Sequence, residues 1–362
     1  MSDTTHSSLR RLQVVMVADG HPEGWRSVGL PEAVLERWSR YTSPLRVAMV
    51  TARDNTRLQG AMLLVSRAIG QYVKVADVWI APEIEDSSGL ERALVVFTLE
   101  HAWQSGAVAV KRALKQPQAS VLRGGLIHQQ PAAMDEPGAP ESTAEVWWHS
   151  THPSIAPPYL SQTTYFTCGP TSLLMALAHF QTDMLPTRQL EFEIWREATM
   201  VEACDPYGLA LAAKRRGLDV DLTVTTDAFM LLEEFHSEKE RDVRRYFQMR
   251  FREAVAATDI KVRREAVTSA QIRAALDSGR LALLLVDEAP FGIEPCPHWI
   301  MVHSFVDGVF VVHDPWVDPA MGETWLDGRD LPLLPADVER LAAFGSPPYT
   351  ALLAVRGAAT PI

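Results

Sequence analysis

Apolar positions along the first third of the chain fall in the rhythm of strands. Residues 45–51, 59–68 and 72–80 alternate or run continuously apolar and predict three strands, with a helix over 31–41 ahead of them. The period then lengthens. Leu90, Ala93, Leu94, Phe97 and Ala102 share one side of a predicted helix over 90–106, and Val108-Ala-Val-Lys returns to strand. From 116 to 154 the pattern dissolves into Pro, Gly, Ala, Ser and Glu, the composition of a linker. Only Val146-Trp147-Trp148 interrupts it, and these tryptophans are expected to pack against a domain.

Periodicity resumes after the linker. Leu173, Leu174, Leu177 and Phe180 mark one buried face of a helix, and Pro170 fits its first turn, where a missing N–H costs nothing. Asp205-Pro-Tyr-Gly208 reads as a turn into a short helix closed by Gly217. Residues 230–258 contain no Gly or Pro and are dense in Glu, Lys and Arg, so they predict one or two exposed helices. The bland reading is a solvated insertion; the functional alternative is a cap that selects substrate. Residues 295–305 and 309–316 read as two strands, with Asp307-Gly308 as the hairpin signal between them.

At 362 residues the chain is long enough for two domains. The expected limits are 1–115 for the first, 116–154 for the linker, and 155–362 for the second, with a helical insertion near 228–265. A net charge of −11 disfavours nucleic acid and acidic membrane surfaces as partners. No apolar run reaches membrane-spanning length, and Met1-Ser-Asp-Thr-Thr lacks a signal-peptide core, so a cytoplasmic protein is expected. The odd count of three cysteines argues against a disulfide framework. Neither a nucleotide-binding loop nor metal-ligand spacing is present, and no cofactor or metal is expected.

The chemistry concentrates in Gln162-Thr-Thr-Tyr-Phe-Thr-Cys168-Gly169-Pro170. Cys168 opens the apolar helix, where unpaired N–H groups and the macrodipole favour a thiolate, the form that attacks carbonyls. Gln162 lies on the preceding loop, and its amide with the Cys168 N–H can form an oxyanion hole. A partner base is expected at His298, oriented by Asp314. Register is the test of that pair. A two-residue Asp-Gly turn would pair Met301 with Asp314 and put His298 and Asp314 on opposite faces. A three-residue loop, Val306-Asp307-Gly308, pairs Ile300 with Asp314 and brings the two side chains to one face; this loop is the expectation. His303 and His313 have the opposite parity and are read as structural, and His179 as a partner for the helix C-terminus.

This constellation resembles the double-glycine-leader (bacteriocin-processing) cysteine peptidases, a papain-like family, over roughly residues 155–357. The likeness rests on Gln162 six residues before Cys168-Gly169, then His298-Trp299 and Asp314-Pro315 in that order. It implies a Cys168–His298–Asp314 triad with Gln162, a thioester intermediate, and a peptide or other amide as substrate. Acyl transfer to a small-molecule amine, amidase activity and a non-catalytic binding module are the alternatives. The segment between Cys168 and His298 is longer than that family needs, and the membrane-spanning export machine those peptidases usually precede is not expected here. The first domain, over about residues 12–115, resembles the GNAT acetyltransferases in its strand order, Ala81-Pro82, and a loop ending in Gly89-Leu90 before a long helix. Asp86 and Glu91 stand where that family's pyrophosphate loop has a basic and a small residue. The resemblance therefore implies a degenerate acetyltransferase-like domain that binds a peptide, protein or small molecule. Some bacterial proteins fuse these two types. The fold class expected is α+β, a GNAT-like mixed α/β domain followed by a papain-like cysteine peptidase domain.

Overall fold

A computed structural model describes residues 11–16, 22–54, 57–114, 122–130, 134, 142–155, 157–199, 202–232 and 237–358. Among these residues the chain forms two compact units, each built on a seven-stranded mixed sheet. The first contains the described residues up to Gln129 together with Ser142–Ser150 and Asp318–Leu326; the second contains Thr151–Val317 and the chain from Asp327 onward.

In chain order the N-terminal unit comprises β1 (Arg11–Met16), α1 (Pro22–Arg26), α2 (Glu32–Trp38), β2 (Arg46–Asp54), β3 (Arg57–Ser66), β4 (Tyr72–Ile80), α3 (Ser87–Gln104), β5 (Ala109–Leu114), β6 (Leu126–Gln129) and β7 (Thr143–Trp148). The sheet order is β1-β2-β3-β4-β5-β7-β6, antiparallel except for the parallel β4–β5 pair. The continuous apolar run of β3 is explained by cover on both faces. Met49 and Leu63 pack with Trp25, Leu35 and Trp38 of the short helices, whereas Val50 and Met62 pack with Leu90 and Leu94 of α3. Gly60 lets α3 approach closely, because a Cβ there would lie 3.2 Å from Leu90 Cδ2.

The linker expectation needs correction. β6 and β7 lie inside residues 116–154, and β7 pairs with β5 along its whole length, from Ala109↔Trp148 to Leu114↔Thr143. Composition concealed β7 because a charged residue, Glu145, sits in its centre; in the ladder Glu145 is the register partner of Arg112, an opposite charge 3.7 Å away. Trp147 joins the α3 core. Residues 115–121, 131–133 and 135–141 of the expected linker lie outside the described residues.

The C-terminal unit comprises α4 (Cys168–Phe180), α5 (Arg188–Ala198), α6 (Pro206–Arg215), β8 (Leu218–Val224), α7 (Glu238–Ala256), β9 (Lys261–Arg264), α8 (Ser269–Asp277), β10 (Leu281–Asp287), β11 (Pro297–Val306), β12 (Val309–His313), α9 (Trp325–Gly328, begun in the N-terminal unit), β13 (Leu331–Leu333), α10 (Pro335–Leu341) and β14 (Ala351–Gly357). Its sheet order is β13-β12-β11-β10-β14-β8-β9, antiparallel except for β8–β9. Helix α4, which begins at Cys168, packs on β11 and also touches β10 and β14. The predicted insertion is one helix, α7, and the edge strand β9. A capping box of Ser237 and Glu240 starts α7, which packs against α6 and buries Arg244 and Gln248. Gln248 exchanges two 2.9 Å hydrogen bonds with the Met230 backbone, which pins the chain ahead of the helix. No helix among the described residues is long and apolar enough to cross a membrane.

Candidate active site

Cys168 is the first residue of α4 and is buried. Thr167 occupies the N-cap position without a side-chain hydrogen bond to the helix, so no capping oxygen of its own covers the first turn beside the sulfur. Gly169 packs tightly: a Cβ there would sit 3.2 Å from both Cys204 Cβ and Trp299 Cδ1. Ser172 Oγ donates to Trp299 O at 3.1 Å and fastens the helix to the strand that carries His298. The loop before α4 is gathered by Glu191, a fully buried carboxylate on α5. It accepts Thr163 N–H at 3.0 Å, Thr163 Oγ1–H at 2.5 Å and Thr171 Oγ1–H at 2.9 Å.

His298, the second residue of β11, meets Asp314 as expected, by another route. The turn is the two-residue Asp307-Gly308, with φ of +48° and +82°, so the three-residue loop is corrected. Val306 pairs with Val309 and Ser304 with Val311, but Val302 pairs with Val312 and Met301 with His313. The extra residue is His303, in a bulge within β11, and that one-residue shift brings His298 and Asp314 together. Asp314 Oδ1 lies 2.7 Å from His298 Nε2 and also accepts Trp316 N–H at 2.9 Å. Tyr159 Oη donates to Asp314 O at 3.0 Å, and Asp314 N–H donates to Gly328 O at 2.8 Å. Gly328 allows that crossing, because a Cβ would collide with Asp314 O and Tyr159 Oη.

With Nε2 committed to Asp314, His298 presents Nδ1 to the rest of the site, where Glu288 Oε1 lies 3.9 Å away. Burial works against a charge on this ring. The negative charges of Asp314, Cys168 and Glu288 outweigh it and raise the His298 pKa well above 6.5. The buried Cys204 thiol, by contrast, is pushed up by burial and then by Cys168 and Asp205. Gln162 donates its backbone N–H to Pro315 O at 3.0 Å, so the loop before Cys168 is tied to the Asp-Pro turn. One hydrogen of its side-chain amide goes to Thr164 O at 2.7 Å, and Nε2 keeps the other.

Residues 157–356, more than half of the chain, match the Peptidase_C39 like family. The chain belongs to that family. No curated protein matches it significantly. Solved structures similar to the part outside the Peptidase_C39 like match include acetyltransferases. One from Bacillus subtilis with CoA is 13% identical, covers 38% of this chain and 99% of its own, and has a TM-score of 0.25. An N-acetyltransferase from Thermoplasma acidophilum with coenzyme A is 12% identical, covers 38% and 99%, and has a TM-score of 0.25. A spermidine/spermine N-acetyltransferase from Vibrio cholerae is 13% identical, covers 39% and 96%, and has a TM-score of 0.28. Likenesses at these TM-scores carry no argument about function.

Sequence reasoning missed Glu191 and Glu288 in this Peptidase_C39 like unit. Each is one glutamate among many, and only the folded chain brings it to Thr163 and Thr171 or to His298. His303 and His313 are buried and meet Asp330, away from Asp314. Ligand atoms of these three residues lie within 4.8 Å of one another, a spacing that suits a metal. His313, however, donates Nε2–H to Pro157 O at 3.0 Å and accepts Asp330 N–H on Nδ1 at 3.2 Å, and Arg329 Nε lies 3.2 Å from Asp330 Oδ2. Both ring nitrogens of His313 are engaged, and a cation already sits on the carboxylate. Burial, then the His303 charge, lowers the His313 pKa to about 3 and keeps the ring neutral. Partial burial, then His303, lowers the His179 pKa as well.

Proposed function

We propose that the C-terminal unit is a cysteine peptidase or related amide hydrolase acting through Cys168, His298 and Asp314. The observation that carries this reading is the His298 environment: Nε2 held by Asp314 at 2.7 Å, with a raised pKa to which Cys168 contributes. In the proposed reaction Cys168 transfers its proton to His298 Nδ1, and the thiolate attacks the substrate carbonyl carbon. The oxyanion forms at the α4 N-terminus, where the Cys168 N–H and the second amide hydrogen of Gln162 stabilise it. The C–N bond breaks as His298 gives its proton to the leaving amine, which leaves a thioester on Cys168. Water, deprotonated by His298, hydrolyses the thioester and restores the thiol. The substrate class is a peptide or other amide, and the compartment is the cytoplasm, where a reduced thiol persists.

For the N-terminal unit the proposal is a degenerate acetyltransferase-like domain that binds a peptide, protein or small molecule. Asp86 supports the loss of CoA chemistry. Its carboxylate accepts Gly89 N–H at 2.8 Å as the N-cap of α3, so an internal anion already fills the amide position a phosphate would need. The test of the hydrolase is mass spectrometry of the chain and its Cys168 peptide after incubation with a peptide library, with and without subsequent hydroxylamine. Wild type should release products and show an acyl mass on Cys168 that hydroxylamine removes, and Cys168→Ala should do neither. Turnover retained in Cys168→Ala would refute the assignment.

A further inference from the structure

The two peptide units that flank the Gln162 Cα are held by separate anchors. The Gln162 N–H donates to Pro315 O at 3.0 Å. The next N–H, that of Thr163, donates to Glu191 Oε1 at 3.0 Å. The tip of the Gln162 side chain is fixed as well, because Nε2 gives one hydrogen to Thr164 O at 2.7 Å. That contact also sets which way the carboxamide faces, since the opposite flip would put two oxygens together. A glutamine loses rotamer entropy when it is ordered, and here the backbone anchors and the pinned tip have already ordered it.

Glu191 reaches beyond the loop. It is fully buried on α5, Oε2 accepts Thr163 Oγ1–H at 2.5 Å, and Oε1 also accepts Thr171 Oγ1–H at 2.9 Å. Thr171 lies on α4 three residues after Cys168. One carboxylate thus ties the Gln162 loop to the turn that presents the Cys168 N–H. Among the described residues no cation pairs with Glu191. Burying a carboxylate without a cation is costly, and what this one secures is the placement of the loop against the helix start. We propose that Glu191 is a positioning residue for the hydrolase: it sets Gln162 against the first turn of α4 so that Gln162 Nε2–H and the Cys168 N–H converge on one oxyanion. The inference rests on the hydrolase reading above, and every group in it lies within Thr151–Val317 of the C-terminal unit.

The test separates carbonyl chemistry from thiol chemistry in the full chain. Iodoacetamide alkylates a thiolate by displacement of iodide, with no oxyanion. With p-nitrophenyl acetate the Cys168 sulfur bonds to the carbonyl carbon, an oxyanion forms, and p-nitrophenolate leaves an acetyl thioester. Both reactions are followed by mass spectrometry of the Cys168 peptide. Glu191→Ala should slow acetylation roughly ten- to hundredfold and leave alkylation near its wild-type rate. Gln162→Ala should do the same, and the two changes together should cost little more than either alone, because one acts through the other. Glu191→Gln keeps an acceptor for Thr163 N–H and Thr171 Oγ1–H and should recover most of the acetylation lost in Glu191→Ala. If Glu191→Ala does not fold, Glu191→Asp, which withdraws the carboxylate by one methylene, should show the same selective loss. Acetylation and alkylation slowed alike, acetylation unchanged in the folded variant, Glu191→Gln as slow as Glu191→Ala, or full additivity with Gln162→Ala would overturn the inference and leave the hydrolase standing. Wild-type Cys168 no more reactive toward iodoacetamide than Cys296 would instead remove the hydrolase reading and this one with it.

Discussion

Replacing Asp314 by Asn removes its charge and keeps an acceptor at the Oδ1 position. A single oxygen, Oδ1, accepts both His298 Nε2–H and Trp316 N–H, at 2.7 and 2.9 Å. The Asn carbonyl is therefore held by two donors, its NH2 is turned to the Oδ2 position, and the His298 tautomer is preserved. What is lost is the attraction between carboxylate and imidazolium. Unit charges about 4 Å apart at an effective dielectric constant of about 20 attract by about 4 kcal/mol. Cys168 and Glu288 still raise the His298 pKa in the variant, so part of that figure remains. A net loss of about 1.5–3 kcal/mol, roughly ten- to 150-fold in rate, is expected. The sign with pH follows. The His298 pKa is raised in the folded state, so its stabilising charge is fully present below about 6.5 and is lost as pH rises through the raised value. Asn lowers that folded value, and the alkaline limb of the rate profile must move to lower pH. The assay is the pH dependence of Cys168 alkylation, followed on the Cys168 peptide by mass spectrometry. An unmoved alkaline limb, or one displaced to higher pH, would refute the role given to Asp314.

Two further outcomes test the surroundings of the site. Burial raises the Asp205 carboxyl from 3.8 to about 6 against N–H bonds from Gly208 and Tyr207. The folded chain keeps this proton to higher pH than the unfolded chain, so stability is lost as pH rises from about 4 through 6. Asp205→Asn keeps the cap acceptor without the charge and should stabilise by up to about 3 kcal/mol at pH 7.5 and hardly at pH 4; equal denaturation midpoints at pH 7.5 would contradict this. Gly328→Ala places a Cβ against Asp314 O and Tyr159 Oη, and should cost about 1–3 kcal/mol of stability and slow Cys168 alkylation; wild-type values in both would show that the crossing is not tight.

The local parts of this fold were readable from the chain. The helix that begins at Cys168 carries its own signals, an apolar stripe and Pro170 in the first turn. The three central strands of the N-terminal sheet were equally plain, because apolar runs covered on both faces leave no ambiguity. The hairpin shows where local reading stops. Asp307-Gly308 has the positive φ values its composition favours, yet the shift that aligns His298 with Asp314 arises at His303, and a bulge among buried residues has no composition of its own. β7 was hidden because Glu145 is neutralised by Arg112, a partner 33 positions earlier that no local window sees. The membership of Asp318–Leu326 in the N-terminal unit is less legible still, since its buried ion pair joins Arg67 to Glu323, 256 positions apart. Glu191 is invisible for the same reason: its three donors are supplied by the fold.

The central claim is that Cys168 and His298 form a poised pair, and the most direct measurement is competitive alkylation of the three cysteines at pH 6. An ordinary thiol with a pKa of about 8.5 is roughly 0.3% ionised there. Cys296 is exposed and serves as the reference thiol, and Cys204 is buried. The account predicts that Cys168 reacts much faster than Cys296, and that His298→Ala removes the difference while leaving the rate at Cys296 unchanged. Cys168 reacting at or below the rate of Cys296, or a preference that survives His298→Ala, would contradict it.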